Sequence, residues 1–173
     1  RPTLHQTLAV CRFYRIGFIM HKSVIFDETK IDWNPLPDPD GNPADYISMS
    51  ILNLDDEAKI ADVLFKFEAE AKILKHRHTC HYSTFTIKGE LRIFDAQEKL
   101  IEIRPAGTFK WGAPGEIHTE GGGKEDVVAL FSLRPYSASA PIYEILDDNL
   151  EVAATVTFDD LKELDAAYAA QSS

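Results

Sequence analysis

Two histidines separated by a single residue, His76 and His78, are the side chains of this sequence with the clearest capacity for chemistry. If residues 72–78 form a β-strand, both imidazoles point to the same face, because side chains on a strand alternate with a period of two. Their bases would then lie roughly 6–7 Å apart, which lets the two rings converge on one ion. Neutral imidazole binds zinc, iron, nickel, copper and manganese. The spacing therefore predicts a metal site.

His118 is the predicted third ligand, because two histidines rarely complete a metal shell. It follows the turn sequence Pro114-Gly115, and such a turn can bring a distant strand back across the mouth of a barrel. Asp95 or Glu98, which come after a predicted hairpin, could add a carboxylate ligand. A solvated strand end is the simpler interpretation of these two acids.

Short segments of strand-like composition, separated by turn residues, must position these histidines. They recur between Tyr46 and Val156 at fairly regular intervals, which favours a β-sandwich or barrel. Lys88-Gly89-Glu90 is predicted to be a tight hairpin between two of the strands. The chain then changes character, and a helix is predicted to begin after Thr157, with Asp160 as the capping-box partner of that threonine.

This pattern divides the chain into four predicted regions. Residues 1–19 are expected to be an extension, either added artificially or read from an upstream start. Residues 20–58 form an N-terminal arm and the first strands, and the arm contains a stretch rich in proline and aspartate. Residues 59–156 form the barrel, and residues 157–173 form a C-terminal helix and tail.

Composition limits the partners and the compartment. The chain has 173 residues, 45% of them apolar, which fits one globular domain. Its formal charge is 18 − 28 = −10, so nucleic acids and anionic membranes are not expected as partners. Cys11 and Cys80 do not make a disulfide framework, and no run approaches the roughly 20 apolar residues of a membrane span. We therefore expect a cytoplasmic protein.

Three motifs together resemble those of the cupin superfamily. They are His76-Arg77-His78, Gly89-Glu90-Leu91 after the intervening strand, and the segment Pro114 to His118. The resemblance covers roughly residues 60–135. It implies an all-β fold, a small antiparallel double-sheeted (jelly-roll) cupin barrel, with the metal inside its mouth. The N-terminal arm and the short C-terminal helix would flank this barrel.

One departure from the cupin pattern points to a particular branch. The slots that usually hold a glutamate ligand are occupied by Tyr82 and Ser83, so the site resembles the three-histidine variant. The stretch from His76 onward is similar to the branch that holds acetylacetone-cleaving dioxygenase and 2,4'-dihydroxyacetophenone dioxygenase. This resemblance implies Fe(II) as the cofactor, with Zn(II), Ni(II) or Mn(II) as alternatives. It also implies O₂-dependent cleavage of a carbon–carbon bond next to a carbonyl.

Several other side chains are candidates for the pocket. Tyr82 could hydrogen-bond a substrate oxygen, and Glu116, beside the turn that precedes His118, could move a proton. Each has a plain alternative, because Tyr82 could simply pack in the barrel and Glu116 could be a surface residue. The pocket candidates are aromatic residues for a dry wall and arginines for an anionic substrate group, namely Phe85, Trp111, Phe131, Arg104 and Arg134.

Three functions are consistent with these residues. The first is an Fe(II) dioxygenase that cleaves a small β-dicarbonyl or hydroxyketone. The second is a non-catalytic cupin that binds a metal or ligand as a sensor or binding module, since fold does not set function. The third is an O₂-independent metal-dependent isomerase or hydrolase. Exposed strand edges also predict self-association, as a homodimer or homotetramer.

Overall fold

A computed structural model describes residues 26–37 and 43–171 of the chain. The predicted extension over residues 1–19 lies outside the described residues, as does Cys11. A short 3-10 helix, Glu28–Lys30, comes first. The strands and the helix that follow are β1 (Asn34–Pro37), β2 (Pro43–Asp55), β3 (Ile60–Phe67), β4 (His76–His78), β5 (His81–Lys88), β6 (Glu90–Phe94), β7 (Leu100–Pro105), β8 (Phe109–Gly112), β9 (Ile117–Gly121), β10 (Val127–Arg134), β11 (Pro141–Leu146), β12 (Val152–Thr157) and α1 (Phe158–Gln171).

Within the described residues, the strands form two six-stranded sheets. One sheet has the order β1-β2-β3-β10-β5-β8, and the other has the order β12-β11-β4-β9-β6-β7. The strand pairs in both sheets are antiparallel. Two facing antiparallel sheets with one C-terminal helix confirm the predicted all-β jelly-roll architecture.

Alternation along the central strands creates the core between the sheets. In β3, Val63, Phe65 and Phe67 point inward, and in the paired strand β10, Ala129 and Phe131 do the same. The rings of Phe65 and Phe131 meet edge to face, with centroids 5.1 Å apart. Burial of these side chains supplies the main stabilisation of the fold, because each removes apolar area from water.

The turn at Lys88-Gly89-Glu90 does not close a hairpin, and that prediction is wrong. Strand β5 pairs with β10 and β8, whereas β6 pairs with β7 and β9. The turn therefore carries the chain from one sheet to the other. Gly89 has φ = 70°, and a Cβ at that position would lie 2.6 Å from the carbonyl oxygen of Asp126. The same glycine that favours a hairpin turn here permits a close crossing between the two sheets.

The C-terminal helix α1 begins as predicted. The Thr157 side-chain oxygen accepts a hydrogen bond from the Asp160 amide at 3.1 Å, and the Asp160 carboxylate accepts one from the Thr157 amide at 2.7 Å. Phe158 and Leu161 are buried against the core, so the helix covers one side of the barrel. In the described part of the chain, no helix has the length and apolar character needed to cross a membrane.

Glu28 attaches the N-terminal segment to the barrel, and its loss should weaken folding. Its carboxylate accepts a hydrogen bond from Lys88 at 2.6 Å and lies 3.2 Å from the ammonium of Lys66. The hydrogen bond from Lys88 holds the pKa of Glu28 below its ordinary value. We expect Glu28→Gln to lower the free energy of unfolding by about 1 kcal/mol at pH 7, as measured by urea denaturation.

The pH dependence of that loss gives its control. A carboxyl whose pKa is depressed by folding stabilises the fold above its unfolded pKa, and this contribution disappears as the pH falls through the folded value. The difference between wild type and Glu28→Gln should therefore shrink on acidification below pH 4.5. Glu163→Gln, an exposed change on α1, should show little effect at any pH. A Glu28→Gln effect that is constant with pH would contradict the ion-pair explanation.

Candidate metal centre

The pairing of β4 with β9 brings three distant histidines together. His76 and His78 are two residues apart on β4, so both side chains point to the same face. Strand β9 runs antiparallel beside β4 with His118 directly opposite His76. All three side chains are buried, and they are called the histidine cluster from here on.

The ring nitrogens of the histidine cluster converge on one point. The Nε2 atom of His78 lies 3.2 Å from that of His76 and 3.1 Å from that of His118. One ligand atom from each of the three histidines falls within 4.8 Å of the others. Adjacent nitrogens bound about 2.0–2.1 Å from one ion are separated by about 2.8–3.4 Å in octahedral or tetrahedral geometry. The cluster is therefore already arranged as a set of metal ligands.

The protonation states also fit a metal site. His76 Nδ1 lies 3.1 Å from the Leu74 carbonyl oxygen, which can only accept, so the proton sits on Nδ1 and the Nε2 lone pair points into the cluster. Burial lowers the pKa of His76 to about 4 and that of His118 to about 3. Burial also holds the pKa of His78 well below its ordinary value. Neutral imidazoles, the form that binds metals, thus prevail near neutral pH.

Tyr82 and Glu116, the two predicted catalytic residues, lie beside the histidine cluster. The Tyr82 ring stacks on His78 with centroids 3.7 Å apart, and its hydroxyl donates to the Glu116 carboxylate at 2.8 Å. Burial and this hydrogen bond raise the pKa of Tyr82. A Cβ at Gly112 would lie 2.0 Å from the tyrosine ring, so only glycine there leaves room for the stack.

Glu120 is a member of this site that the sequence analysis did not name. Its side chain is only 2% exposed, and its two carboxylate oxygens lie 3.9 Å from His76 Nε2 and 3.6 Å from His118 Nε2. Burial raises the pKa of the Glu120 carboxyl to about 7. Its spacing from His118 is the same i, i+2 spacing that drew attention to His76 and His78, so a signal was present in the sequence.

Tyr143 is a second residue that sequence reasoning missed. It lies opposite His78 in the pairing of β11 with β4, and its ring meets His76 and His78 at centroid distances of 5.4 and 5.0 Å. Burial raises the pKa of Tyr143 well above its ordinary value, so its hydroxyl stays protonated. No motif in the sequence marks this tyrosine, because its role follows from the neighbour of β4 in the sheet.

A cavity of about 410 Å³ opens beside the histidine cluster. His76, Glu120 and Tyr143 stand in its wall, and most of the remaining wall is apolar. Its size falls within the range of about 300–1,000 Å³ that is typical of small-molecule sites. The apolar wall comes from both sheets and from α1, and includes Met49, Phe65, Phe67, Phe131, Val156 and Leu161.

Only one of the five predicted pocket residues lines the cavity. Phe131 lines the cavity, whereas Phe85 and Trp111 are 41% and 53% exposed and do not line it. Arg134 lies near Trp111, 5.5 Å from its ring, also outside the cavity wall. Arg104 is buried and donates to Glu102 at 2.7 Å, but it is not in the cavity wall.

Asp95 and Glu98, the predicted additional ligands, are not part of the cluster. The Asp95 carboxylate accepts hydrogen bonds from the backbone amides of Gln97 and Lys99 within its own turn. Glu98 is exposed and lies 3.5 Å from the ammonium of Lys72. Among the described residues, the carboxylate that approaches His76 and His118 is that of Glu120.

No family model and no curated protein sequence matches this chain. Solved structures do match it. An RmlC-like cupin protein from Ralstonia eutropha JMP134 is 16% identical, with a TM-score of 0.67 over 87% of this chain and 88% of its own. An acetylacetone dioxygenase from Acinetobacter johnsonii is 18% identical, with a TM-score of 0.65 over 85% of this chain and 92% of its own. The chain has the cupin fold.

A third similar structure has the same fold and no assigned function. It is a protein of unknown function with a cupin-like fold from Ralstonia eutropha JMP134, 16% identical, with a TM-score of 0.64 over 87% of this chain and 88% of its own. Likeness at these identities establishes the fold, and a fold hosts many functions. The predicted cupin fold is therefore confirmed, and the chemistry of this chain depends on its own histidine cluster and cavity.

Proposed function

We propose that this cupin is a non-haem Fe(II)-dependent dioxygenase that cleaves a carbon–carbon bond of a small β-dicarbonyl or hydroxyketone with O₂. The observation that carries the proposal is the convergence of three neutral, buried imidazoles, one of which, His76, lines an apolar cavity. The structural likeness to an acetylacetone dioxygenase supports the same reaction class.

His76, His78 and His118 would hold the iron through their Nε2 atoms. When bound, a divalent iron supplies Lewis-acid stabilisation of a deprotonated carbonyl substrate and electron transfer toward O₂. The histidines contribute no charge of their own, because burial keeps them neutral. An anionic enolate is therefore favoured over a neutral ketone at this site.

Tyr82 and Glu116 are the chain's candidates for handling the substrate proton. The tyrosine hydroxyl is already donated to the carboxylate, so its oxygen is free to accept from a further group while its own proton lies toward Glu116. This pair can relay a proton from a group bound beside His78 to the Glu116 carboxylate. The stacking contact with His78 holds the tyrosine in place.

The apolar wall gives the reaction a dry environment. Exclusion of water strengthens the attraction between a cation and an enolate, because the local dielectric is low. It also favours a substrate whose carbonyl groups carry apolar substituents, since these bury against side chains such as Phe67 and Phe131. A strongly polar or highly charged substrate would have few partners on this wall.

Oxygen uptake tests the proposal. The protein would be loaded with Fe(II) without oxygen and then offered O₂ with a panel of β-diketones and hydroxyacetophenones. We expect uptake that requires both iron and substrate, with both oxygen atoms of labelled O₂ recovered in the cleavage products. Full iron occupancy without uptake on any member of the panel would overturn the dioxygenase and favour a binding module. Turnover without O₂ would favour an isomerase or hydrolase.

We also propose that the chain self-associates, as a homodimer or homotetramer, through the strand edges formed by β7 and β8. These strands end their respective sheets, and they expose Ile101, Phe109 and Trp111 to solvent. Exposed apolar side chains on unpaired strand edges favour association. We expect light scattering to give a multiple of the 19.4 kDa chain mass, and Phe109→Asp to reduce it to one chain.

Val152→Asp is the matched control for self-association, because Val152 is also exposed and lies on β12, another edge strand. It should leave the mass of the assembly unchanged. A wild-type mass equal to a single chain would contradict self-association. An effect of Val152→Asp equal to that of Phe109→Asp would contradict the choice of the β7 and β8 edges.

A further inference from the structure

We propose that Glu120 is the fourth protein ligand of the metal centre, binding the same ion as the histidine cluster. This inference deepens the proposed function and rests on its metal site. It adds a carboxylate to the three-histidine set that the sequence resemblance implies. This carboxylate comes from β9, two residues beyond His118, and not from the usual glutamate slots, which Tyr82 and Ser83 occupy on β5.

The position of Glu120 follows from the register of the sheet. His118 and Glu120 occupy alternate positions on β9, so both side chains point to the face that carries the cluster. The carboxylate oxygens lie 3.6 Å from His118 Nε2 and 3.9 Å from His76 Nε2. An ion placed among the three Nε2 atoms is therefore within reach of the carboxylate after a small side-chain rotation.

The main chain holds this stretch of β9 firmly. The Glu120 carbonyl accepts a hydrogen bond from the Ile73 amide at 2.9 Å, just before β4. At the next residue, a Cβ on Gly121 would lie 2.2 Å from the Ala71 carbonyl oxygen, so glycine permits a very close approach of the two segments. The segment that precedes β4, the strand of His76, therefore also fixes the backbone of Glu120.

The buried Glu120 carboxylate has an oxygen without a hydrogen-bond partner. The side chain is only 2% exposed, and its Oε1 atom makes no hydrogen bond. The buried Arg104 guanidinium attracts the Glu120 carboxylate electrostatically, but it donates its hydrogen bond to Glu102. A buried carboxylate oxygen without a hydrogen bond is costly, and a divalent cation coordinated by the neighbouring histidines would give that oxygen a partner.

A fourth ligand changes what the centre can bind. Three imidazoles leave the ion with its full double positive charge, whereas three imidazoles and one carboxylate leave a single positive charge. An octahedral ion would keep two open positions instead of three. The added carboxylate also makes the donor set harder, which suits iron or manganese over copper(I).

Cobalt(II) binding without substrate or oxygen tests the proposal. We expect Glu120→Gln to weaken Co(II) affinity by about 100-fold or more, because loss of an outer-shell partner alone already costs about 10–100-fold. The visible absorption of the bound Co(II) should also change, and Glu120→Asp should recover part of the affinity. Co(II) affinity and spectrum equal to those of wild type in Glu120→Gln would overturn the proposal.

Glu144→Gln is the matched control, because it makes the same chemical change on the neighbouring strand β11. The Glu144 carboxylate accepts a hydrogen bond from Arg77 at 2.7 Å, and Arg77 points to the opposite face of β4 from the histidines. Its Co(II) affinity should match that of wild type. A loss as large as that of Glu120→Gln would show a general charge effect and overturn direct ligation.

A crystal structure of the wild-type protein grown with Zn(II) would test the proposal without relying on the folding of a variant. A Glu120 oxygen within about 2.2 Å of the ion supports ligation, and one beyond about 3 Å overturns it. These measurements involve no turnover, so they are separate from the oxygen-uptake experiment. Glu120-dependent metal binding without oxygen uptake would refute the dioxygenase and leave this inference standing, and the reverse combination would refute the inference alone.

Discussion

His78→Ala is expected to abolish metal binding at the histidine cluster, and with it any metal-dependent turnover. The Nε2 atom of His78 lies between the other two, 3.2 Å from that of His76 and 3.1 Å from that of His118. Its removal takes away the central ligand and leaves only His76, His118 and Glu120 near the ion. Elemental analysis after dialysis should fall from about one ion per chain to less than about a tenth of that.

His81→Ala is the control for this loss, because it deletes another histidine a few residues along the same segment. His81 lies on β5, stacks on Trp111 at a centroid distance of 5.5 Å, and does not belong to the cluster. It should retain a full complement of metal. Circular dichroism would verify that both variants fold, since His78 also packs against Tyr82. Metal retained by His78→Ala, or lost equally by both variants, would contradict the assigned centre.

Val156→Phe is expected to reduce turnover of bulky apolar substrates without affecting the metal. Val156 lies on β12 and lines the cavity opposite the core aromatic residues. The phenylalanine ring is larger than the valine side chain and reduces the cavity volume available to the substrate. A difference of even one methylene in such a pocket changes kcat/KM by about 10–200-fold. We expect kcat/KM to fall by about tenfold or more for the largest accepted diketone and less for the smallest.

Val152→Phe makes the same substitution on the same strand, at an exposed position outside the cavity wall. It should leave kcat/KM unchanged for every substrate. Metal content measured in both variants should equal that of wild type, because neither valine belongs to the histidine cluster. Equal losses in the two variants, or a loss in Val156→Phe that is independent of substrate size, would show that the substrate does not occupy this cavity.

The histidine pair was predictable because its signal is local. Two residues at i and i+2 on a strand share a face whatever the rest of the chain does, and β4 places His76 and His78 in this way although it spans only His76–His78. The helix start at Thr157 was predictable for the same reason, since its capping partner Asp160 lies three residues away. His118 was predicted from the Pro114-Gly115 turn and from its place in the cupin motifs, since no local rule connects it to the pair.

Contacts between distant segments were beyond local reasoning. Glu120 shares the i, i+2 spacing with His118, yet its burial beside His76 depends on the pairing of β9 with β4. Tyr143 reaches the cluster only because β11 lies on the other side of β4. The turn at Gly89 was misjudged because the same residue serves a hairpin and a crossing between sheets, and strand pairing alone distinguishes them.

By itself, the amino-acid sequence determined the alternation of the strands, the histidine pair and the start of the helix, since these depend on side-chain periodicity and on hydrogen bonds between near neighbours. Only the tertiary structure decided which acid approaches the histidines and which aromatic residues line the cavity. Glu120 lies buried beside the histidine cluster, whereas Asp95 and Glu98 do not. Phe131 lines the cavity, whereas Phe85 and Trp111 are exposed to solvent. The physical reason is that strand order and register set which faces meet, and burial then gives each side chain its environment.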